Sequence, residues 1–185
     1  MDKNWLTKSS FMFGQTDMFT AYGIMLESEP ADVILPPLRS RKITIPERHG
    51  AYDFGAKYYD ERGLQLNCVT IKTLKREQVR EISWLLSSKS EIRIWNEPDK
   101  YYIGRIYDSA ALNQVRRFAN KFTLTFICEP FAYGETITAP FSADLIYRSE
   151  YQGTAPAPTY IQIINNGNTA ATNIRISQFD KRENY

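Results

Sequence analysis

Catalysis and metal binding need groups that trade protons, attack bonds or hold ions, and this chain is sparing with them. His49 is its one histidine. Any imidazole base or metal site must therefore be built around it, and neither Cys68, Cys128 nor a carboxylate stands at ligand spacing from it. No Gly-x-Ser-x-Gly elbow occurs, and the nine glycines are scattered rather than gathered behind a strand as a phosphate loop. Glu97 and Asp99 are paired carboxylates of the kind a glycosidase uses, yet Asn96-Glu-Pro-Asp-Lys100 is turn-forming sequence in which solvated acids are ordinary. Trp95, Tyr101, Tyr102 and Tyr107 could stack on the apolar face of a sugar, although cross-strand aromatic pairs more commonly just stabilise a hairpin. These residues predict no enzyme, no cofactor and no metal. The readings they leave are a structural assembly protein and, as the alternative, a non-catalytic carbohydrate-binding β-sandwich module.

Composition narrows the class. Of 185 residues, 43% are apolar and 14% aromatic, which excludes a disordered chain and, with Tyr and Phe prominent, favours strands. With 23 basic and 21 acidic residues the net charge is only +2, too small a field to gather nucleic acid or anionic lipid. The densest basic run, Arg39-Ser-Arg-Lys42, follows Leu35-Pro-Pro-Leu38 and reads as a solvated loop or a partner contact. Met1-Asp-Lys-Asn-Trp-Leu6 lacks the apolar core of a signal peptide and no run reaches membrane-spanning length, so the expectation is synthesis in the cytosol without membrane insertion. Cys68 and Cys128 sit within strand-like alternations and are expected as buried, unpaired thiols.

The elements that would position these residues can be read along the chain. Ser10-Phe-Met-Phe13 and Gly23-Ile-Met-Leu26 read as short strands around the turn residues Gly14-Gln-Thr-Asp17. Pro30, Pro36 and Pro37 make residues 27–40 a long irregular connection. Lys42-Ile-Thr-Ile45 is extended, and Pro46-Glu-Arg-His-Gly50 and Asp53-Phe-Gly55 punctuate a projecting hairpin beyond it. Leu64–Ile71 reads as a central strand lying under other structure. Thr73 offers an N-cap for a helix of about three to four turns whose inner stripe is Val79, Ile82, Leu85 and Leu86. Ile92–Trp95 and Tyr101–Tyr107 flank a five-residue loop with Pro98-Asp99 at the centre of a type I turn. In Phe118–Tyr133, Phe118, Asn120, Phe122, Leu124, Phe126 and Cys128 share one face, Lys121, Thr123 and Thr125 the other, and Glu129-Pro130 stops the strand.

That succession of strand, helix, hairpin and closing strand resembles the N-terminal domain of siphophage distal tail proteins over roughly residues 10–135. It is carried by Lys57-Tyr-Tyr59, Trp84-Leu-Leu86, Asn96–Tyr102 and the closing Phe-x-Cys-x-Pro-x-x-Tyr of Phe126–Tyr133. The resemblance implies a mainly β fold with one helix (α+β): a β-sandwich-like N-terminal domain with a projecting arm, followed by a partial or reduced β C-terminal domain. It also implies a homo-oligomeric, hexameric ring at the virion tail tip, assembled in the bacterial host cytoplasm. Its partners would be itself, the tail tube protein, the tail-associated lysin or fibre protein, and receptor-binding proteins. In the family the segment from Ile43 to Tyr59 is an arm that embraces the neighbouring subunit, which makes Ile45, Arg48, His49, Tyr52, Phe54, Tyr58 and Tyr59 the candidate intersubunit residues. The family often shows Pro-Gly-Arg-x-Gly where this chain has Pro46-Glu47-Arg48-His49-Gly50.

The N-terminal, ring-forming domain is expected to span residues 1–135, and a second segment 136–185. There Gln152–Thr159 reads as a loop, and Tyr160–Ile164 and Asn173–Ile176 as strands around Asn165-Asn-Gly-Asn168, similar to the start of the family's galectin-like sandwich. About 50 residues are fewer than a β-sandwich normally takes, which implies a truncated chain or a reduced domain.

Overall fold

The computed structural model describes residues 4–30, 35–55, 58–108, 113–116, 119–138 and 140, then 151, 153–155, 157, 160–170, 172 and 174–176. In chain order they form α1 (Asn4–Thr7), β1 (Phe11–Phe13), β2 (Thr16–Asp17), α2 (Met18–Tyr22), β3 (Ile24–Leu26), β4 (Lys42–Thr44), β5 (Ala51–Asp53), β6 (Arg62–Thr70), α3 (Arg76–Leu86), β7 (Ser90–Ile94), β8 (Lys100–Ile106), β9 (Asn113–Arg116), β10 (Ala119–Cys128) and β11 (Tyr133–Gly134). The chain separates into two units, Met1–Ala143 and Asp144–Tyr185.

Two strands with strict alternation make the floor of the first unit. β6 buries Leu64, Leu66, Cys68 and Thr70, and β10 buries Phe122, Leu124, Phe126 and Cys128. They pair antiparallel from Phe126↔Leu64 through Leu124↔Leu66 to Phe122↔Cys68, so their inward residues lie side by side. The sheet continues in the order β2-β1-β7-β8-β10-β6-β3, with β11 added to β8 and β9 to β10. It is mainly β, as expected, but a single antiparallel sheet curls to supply both walls of the core. Phe126 meets Phe11 edge-on at 6.4 Å and stacks on Phe13 at 5.8 Å, which joins β10 to β1 across the interior.

The ends of that strand order meet. Leu26 on β3 donates its N–H to the Ser9 carbonyl at 2.7 Å, and the Ser10 hydroxyl donates to the Ile24 carbonyl at 2.7 Å. The next residues are β1, already paired to β7 through Phe11↔Ile94. Two hydrogen bonds thus close the sheet on itself, and Ser10, completely buried, takes the place of a backbone donor. Ser9 turns the chain out of α1 into this seam with a left-handed φ of 48°.

Several elements depart from the sequence reading. Asp17, read as a turn residue, caps α2 by accepting from the N–H of Phe19 at 2.9 Å and of Thr20 at 3.1 Å, and Gly23 ends that helix at φ 68°. α1 was not foreseen either. α3 begins not after Thr73 but at Lys75, whose N–H donates to Gln78 Oε1 at 3.1 Å in half of a capping box. The later start lets Leu74 enter the core as an anchor. The inner stripe of α3 is as read, with Ile82 and Leu86 buried and Val79 and Leu85 half-buried against them. β6 is covered on one face only and ends before Ile71, which is exposed, because it lies second from the end of the sheet beside the short β3. Tyr160–Ile164, expected as a strand, carries no regular structure and its apolar side chains are exposed. The intervening turn does form, with Gly167 N–H donating to Asn165 Oδ1 at 2.9 Å. A lone two-stranded hairpin buries too little to hold its ladder. Lys57, Phe118 and Asn173 lie outside the described residues, as do 141–150 and the Asn120 side chain.

Gly104 shows how tightly β8 meets β10. It faces Cys128, and a Cβ there would lie 2.5 Å from Cys128 Sγ and 3.0 Å from the Ile127 carbonyl oxygen. Both thiols are buried and unpaired, and burial pushes the Cys128 pKa up to about 12, so it stays neutral at any ordinary pH. Gly104→Ala should lower unfolding stability by about 1–3 kcal/mol, the range for overpacking a filled core, measured by urea denaturation; an unchanged midpoint would show that β8 and β10 can part without cost.

Candidate functional site

β4 and β5 stand apart from the main sheet and pair only with each other, in the register Lys42↔Asp53, Ile43↔Tyr52 and Thr44↔Ala51. The period of two sorts their side chains. Lys42, Thr44, Ala51 and Asp53 share a polar face, braced by the Lys42–Asp53 pair at 3.7 Å. Ile43, Ile45, Tyr52 and Phe54 share the other face and are 41–61% exposed. Tyr52 and Phe54 meet edge-on at 4.8 Å, and the Arg48 guanidinium lies 5.7 Å from the Tyr52 ring. The result is an amphipathic ribbon whose apolar face nothing in the chain's described residues covers.

Below the tip the two strands run together again. Arg39 N–H donates to the Tyr58 carbonyl at 2.8 Å, Asp60 N–H to the Pro37 carbonyl at 2.7 Å, and Leu38 bridges Tyr59. Arg39 Nε meets Asp60 Oδ1 at 2.7 Å, an exposed pair of little energetic worth. Between tip and base the ladder is interrupted around Gly55, which has φ 84°. The ribbon is tied to the body where Tyr59 packs edge-on against Phe131 at 5.3 Å, just beyond the Glu129-Pro130 stop. From Leu38 to Ile45 it extends roughly 25 Å at strand spacing.

The seven residues singled out in sequence therefore fall in one ribbon, in different roles. Ile45, Tyr52 and Phe54 form its apolar face, and Arg48 braces that face. His49 is exposed in the tip turn, Tyr58 is exposed at the base, and Tyr59 is the anchor. Leu38 and Arg39 were not foreseen, because the preceding prolines masked the extended pairing at the base. Arg48 N–H returns to the Ile45 carbonyl at 3.3 Å, placing Pro46 and Glu47 at the turn centre. Glu47 takes φ 63°. Proline followed by a left-handed residue is the type II arrangement, which ordinarily demands glycine at the second position. Glu47 thus adopts the conformation for which the family pattern uses glycine, at a cost of about 1–2 kcal/mol.

The other chemical candidates are taken up by structure. Tyr102 OH donates to Glu97 Oε2 at 2.6 Å, Asp99 is paired to Lys100, and Lys100 N–H closes the turn around Pro98-Asp99 on the Glu97 carbonyl at 3.2 Å. The hairpin aromatics split between faces. Trp95 and Tyr102 pack toward the core, while Tyr101 stacks on Tyr133 at 5.6 Å and Tyr107 points outward under Arg105. No four-ring platform exists. Lys89 Nζ holds Glu129 Oε1 at 2.5 Å and Tyr133 OH donates to Glu129 Oε2 at 2.5 Å, which ties β11 to the end of β10. That hydrogen bond, with burial, pushes the Tyr133 pKa up to about 12. Among the described residues no cluster of His, Cys, Asp and Glu could hold a metal.

Residues 8–128 match the family described as phage tail protein RIFT-related domain. Among solved structures the chain is similar to the Dit protein of phage SPP1, described as a paradigm of the hub adsorption apparatus in phages that infect Gram-positive bacteria. The TM-score is 0.55 at 23% identity, over 68% of this chain and 51% of that one, so this chain spans about half of that protein. Comparison with curated proteins finds no match.

Glu47→Gly should relax the tip turn. The isolated ribbon should gain about 1 kcal/mol, seen as slower amide exchange at residues 42–44 and 51–53 with the global unfolding midpoint unchanged; unchanged exchange would mean that Glu47 carries no strain there.

Proposed function

The chain belongs to the phage tail protein RIFT-related domain family, and from that premise we propose that it is a structural part of the phage tail tip whose work is assembly through the β4–β5 arm. Copies join as a closed, hexameric ring, each laying its arm on the next. The ring links the tail tube to the tail-associated lysin or fibre protein and carries receptor-binding parts outward. It assembles in the host cytoplasm and functions in the virion.

The observation that carries this reading is the exposed apolar face of Ile43, Ile45, Tyr52 and Phe54 on a ribbon with no core of its own. A two-stranded ribbon in water is marginal, and full burial of an aliphatic or aromatic side chain is worth about 1.5–3 kcal/mol. Covering four of them converts a marginal element into an adhesive one. Head-to-tail use of an arm and a different acceptor surface is the arrangement that closes rings. Among the described residues no His, Cys, Asp and Glu cluster that could hold a metal competes for the role, and binding a sugar through the hairpin aromatics loses its basis because the rings point to different faces.

Deleting residues 46–55 and closing the gap with a short Gly-Ser turn should leave a body that unfolds as cooperatively as the full chain but sediments as a monomer at concentrations where the full chain associates. Normal association of the deletion variant would remove the arm from the account.

A further inference from the structure

An arm that docks on a neighbour must leave its own body in a set direction, and its covalent ties alone leave that direction open. On one side its chain runs into β6 through Asp60 and Glu61, and on the other it arrives from β3 through the stretch of residues 27–37 that holds Pro30, Pro36 and Pro37. The hydrogen bonds at its base, Arg39 N–H to the Tyr58 carbonyl and Asp60 N–H to the Pro37 carbonyl, join its two strands to each other and not to the sheet. Direction matters because the arm is a lever. A swing of about 10° at the base of a ribbon roughly 25 Å long moves its tip by roughly 4 Å, whereas a gap of about 1 Å already forfeits up to half of a van der Waals contact.

The register of the body's longest strand pair supplies the missing constraint. β6 and β10 pair as far as Arg62↔Cys128, and Pro130, which has no N–H to donate, ends the ladder just beyond. The register continues without it. Tyr59 lies three residues before Arg62 and Phe131 three residues after Cys128, so the same register sets them opposite each other, and their rings do meet edge-on at 5.3 Å. This contact is a last rung of the β6–β10 pair, made by side chains where the backbone has ceased to pair.

Phe131 is in turn held from both sides. Before it, Glu129 N–H donates to the Ile103 carbonyl at 2.9 Å, and the Glu129 carboxylate accepts from Lys89 Nζ and Tyr133 OH at 2.5 Å each. After it, Tyr133 pairs with Tyr101 of β8 and stacks on its ring at 5.6 Å, with the Arg93 guanidinium 4.9 Å from that ring. Residues 129–134 therefore form a bracket fastened to β8 at both ends, with Phe131 between the fastenings.

We infer that this bracket is the footing of the arm, and that Phe131 and Tyr59 are its positioning residues: they order and aim the base of the arm in the free chain, while the strands beyond wait for a partner. This rests on the arm reading above.

Amide exchange read residue by residue by NMR on the dissociated full chain, beside sedimentation equilibrium of the same samples, tests it. Phe131→Ala and Tyr59→Ala remove the contact from opposite sides, and Phe131→Tyr keeps it. In each alanine variant the base amides of Arg39 and Asp60 should exchange at least about fivefold faster than in the parent or in Phe131→Tyr, with the amides of β6 and β10 unchanged. Association should weaken by a similar factor, because only chains with an aimed base can dock. Base amides that keep the parent's rate in either alanine variant would overturn the footing and leave the arm reading untouched. Amides of β6 and β10 that speed up as much as those of the base would also overturn it, since Phe131 would then merely hold the body together. Faster base exchange with association as tight as the parent's would leave the footing in place and end the arm reading instead.

Discussion

Closure of the sheet at Ser9 and Ser10 is the constraint on which the remainder depends. A curled sheet left open between β1 and β3 would present two edges of unpaired backbone groups, the usual invitation to unspecific strand pairing. Here a carbonyl from Ser9 and a hydroxyl from Ser10 satisfy the outward groups of β3 at 2.7 Å each. The same closure places Phe11 and Phe13 over Phe126, so the seam and the aromatic centre of the core are one arrangement. Strand edges that remain, on β2, β9 and β11, are short. The long β6 and β10 are paired with each other along Lys121–Cys128 and Arg62–Val69.

In the proposed function, adhesion falls to an element that cannot satisfy itself. The ribbon of β4 and β5 has open edges on both sides, a polar face and an apolar one, and it is fixed to the body chiefly where Tyr59 meets Phe131. Such a division suits an assembling component. On the reading proposed above, the arm, whose apolar face is exposed in the free chain, gains its burial on docking and so couples its own order to assembly. Glu47 in a left-handed turn position lowers the arm's stability a little further in the free chain.

Much of this was legible in the residues, and what was not has identifiable reasons. The inward register of β6 and β10, the stripe of α3 and the Pro98-Asp99 turn all follow from periodicity or turn chemistry and stand as read. Asp17 and Gly23 were misassigned because cap residues and turn residues are the same amino acids; only the five apolar-leaning residues between them distinguish a short helix from a turn. The seam at Ser10 had no signal, since a buried serine between strands looks like any polar residue at a strand's start. The arm showed itself through its punctuation, Pro46, Gly50 and Gly55, but its base did not, because Pro36 and Pro37 suggested irregular chain where Leu38 bridges Tyr59. Residues 160–164 pair with no strand among the described residues, and strand pairing is a tertiary requirement that alternation alone cannot express.

Hydrogen exchange of the full chain, followed by mass spectrometry across a dilution series, tests the central claim most directly. In the dissociated protein, amides of residues 42–44 and 51–53 should exchange near the rate of unstructured chain while those of β6 and β10 remain protected; on association the arm amides should slow by at least about tenfold and the β6 and β10 amides should not change. Arm amides that are protected in the monomer and unaffected by association would contradict the account, because the ribbon would then be a self-sufficient element with no bearing on assembly.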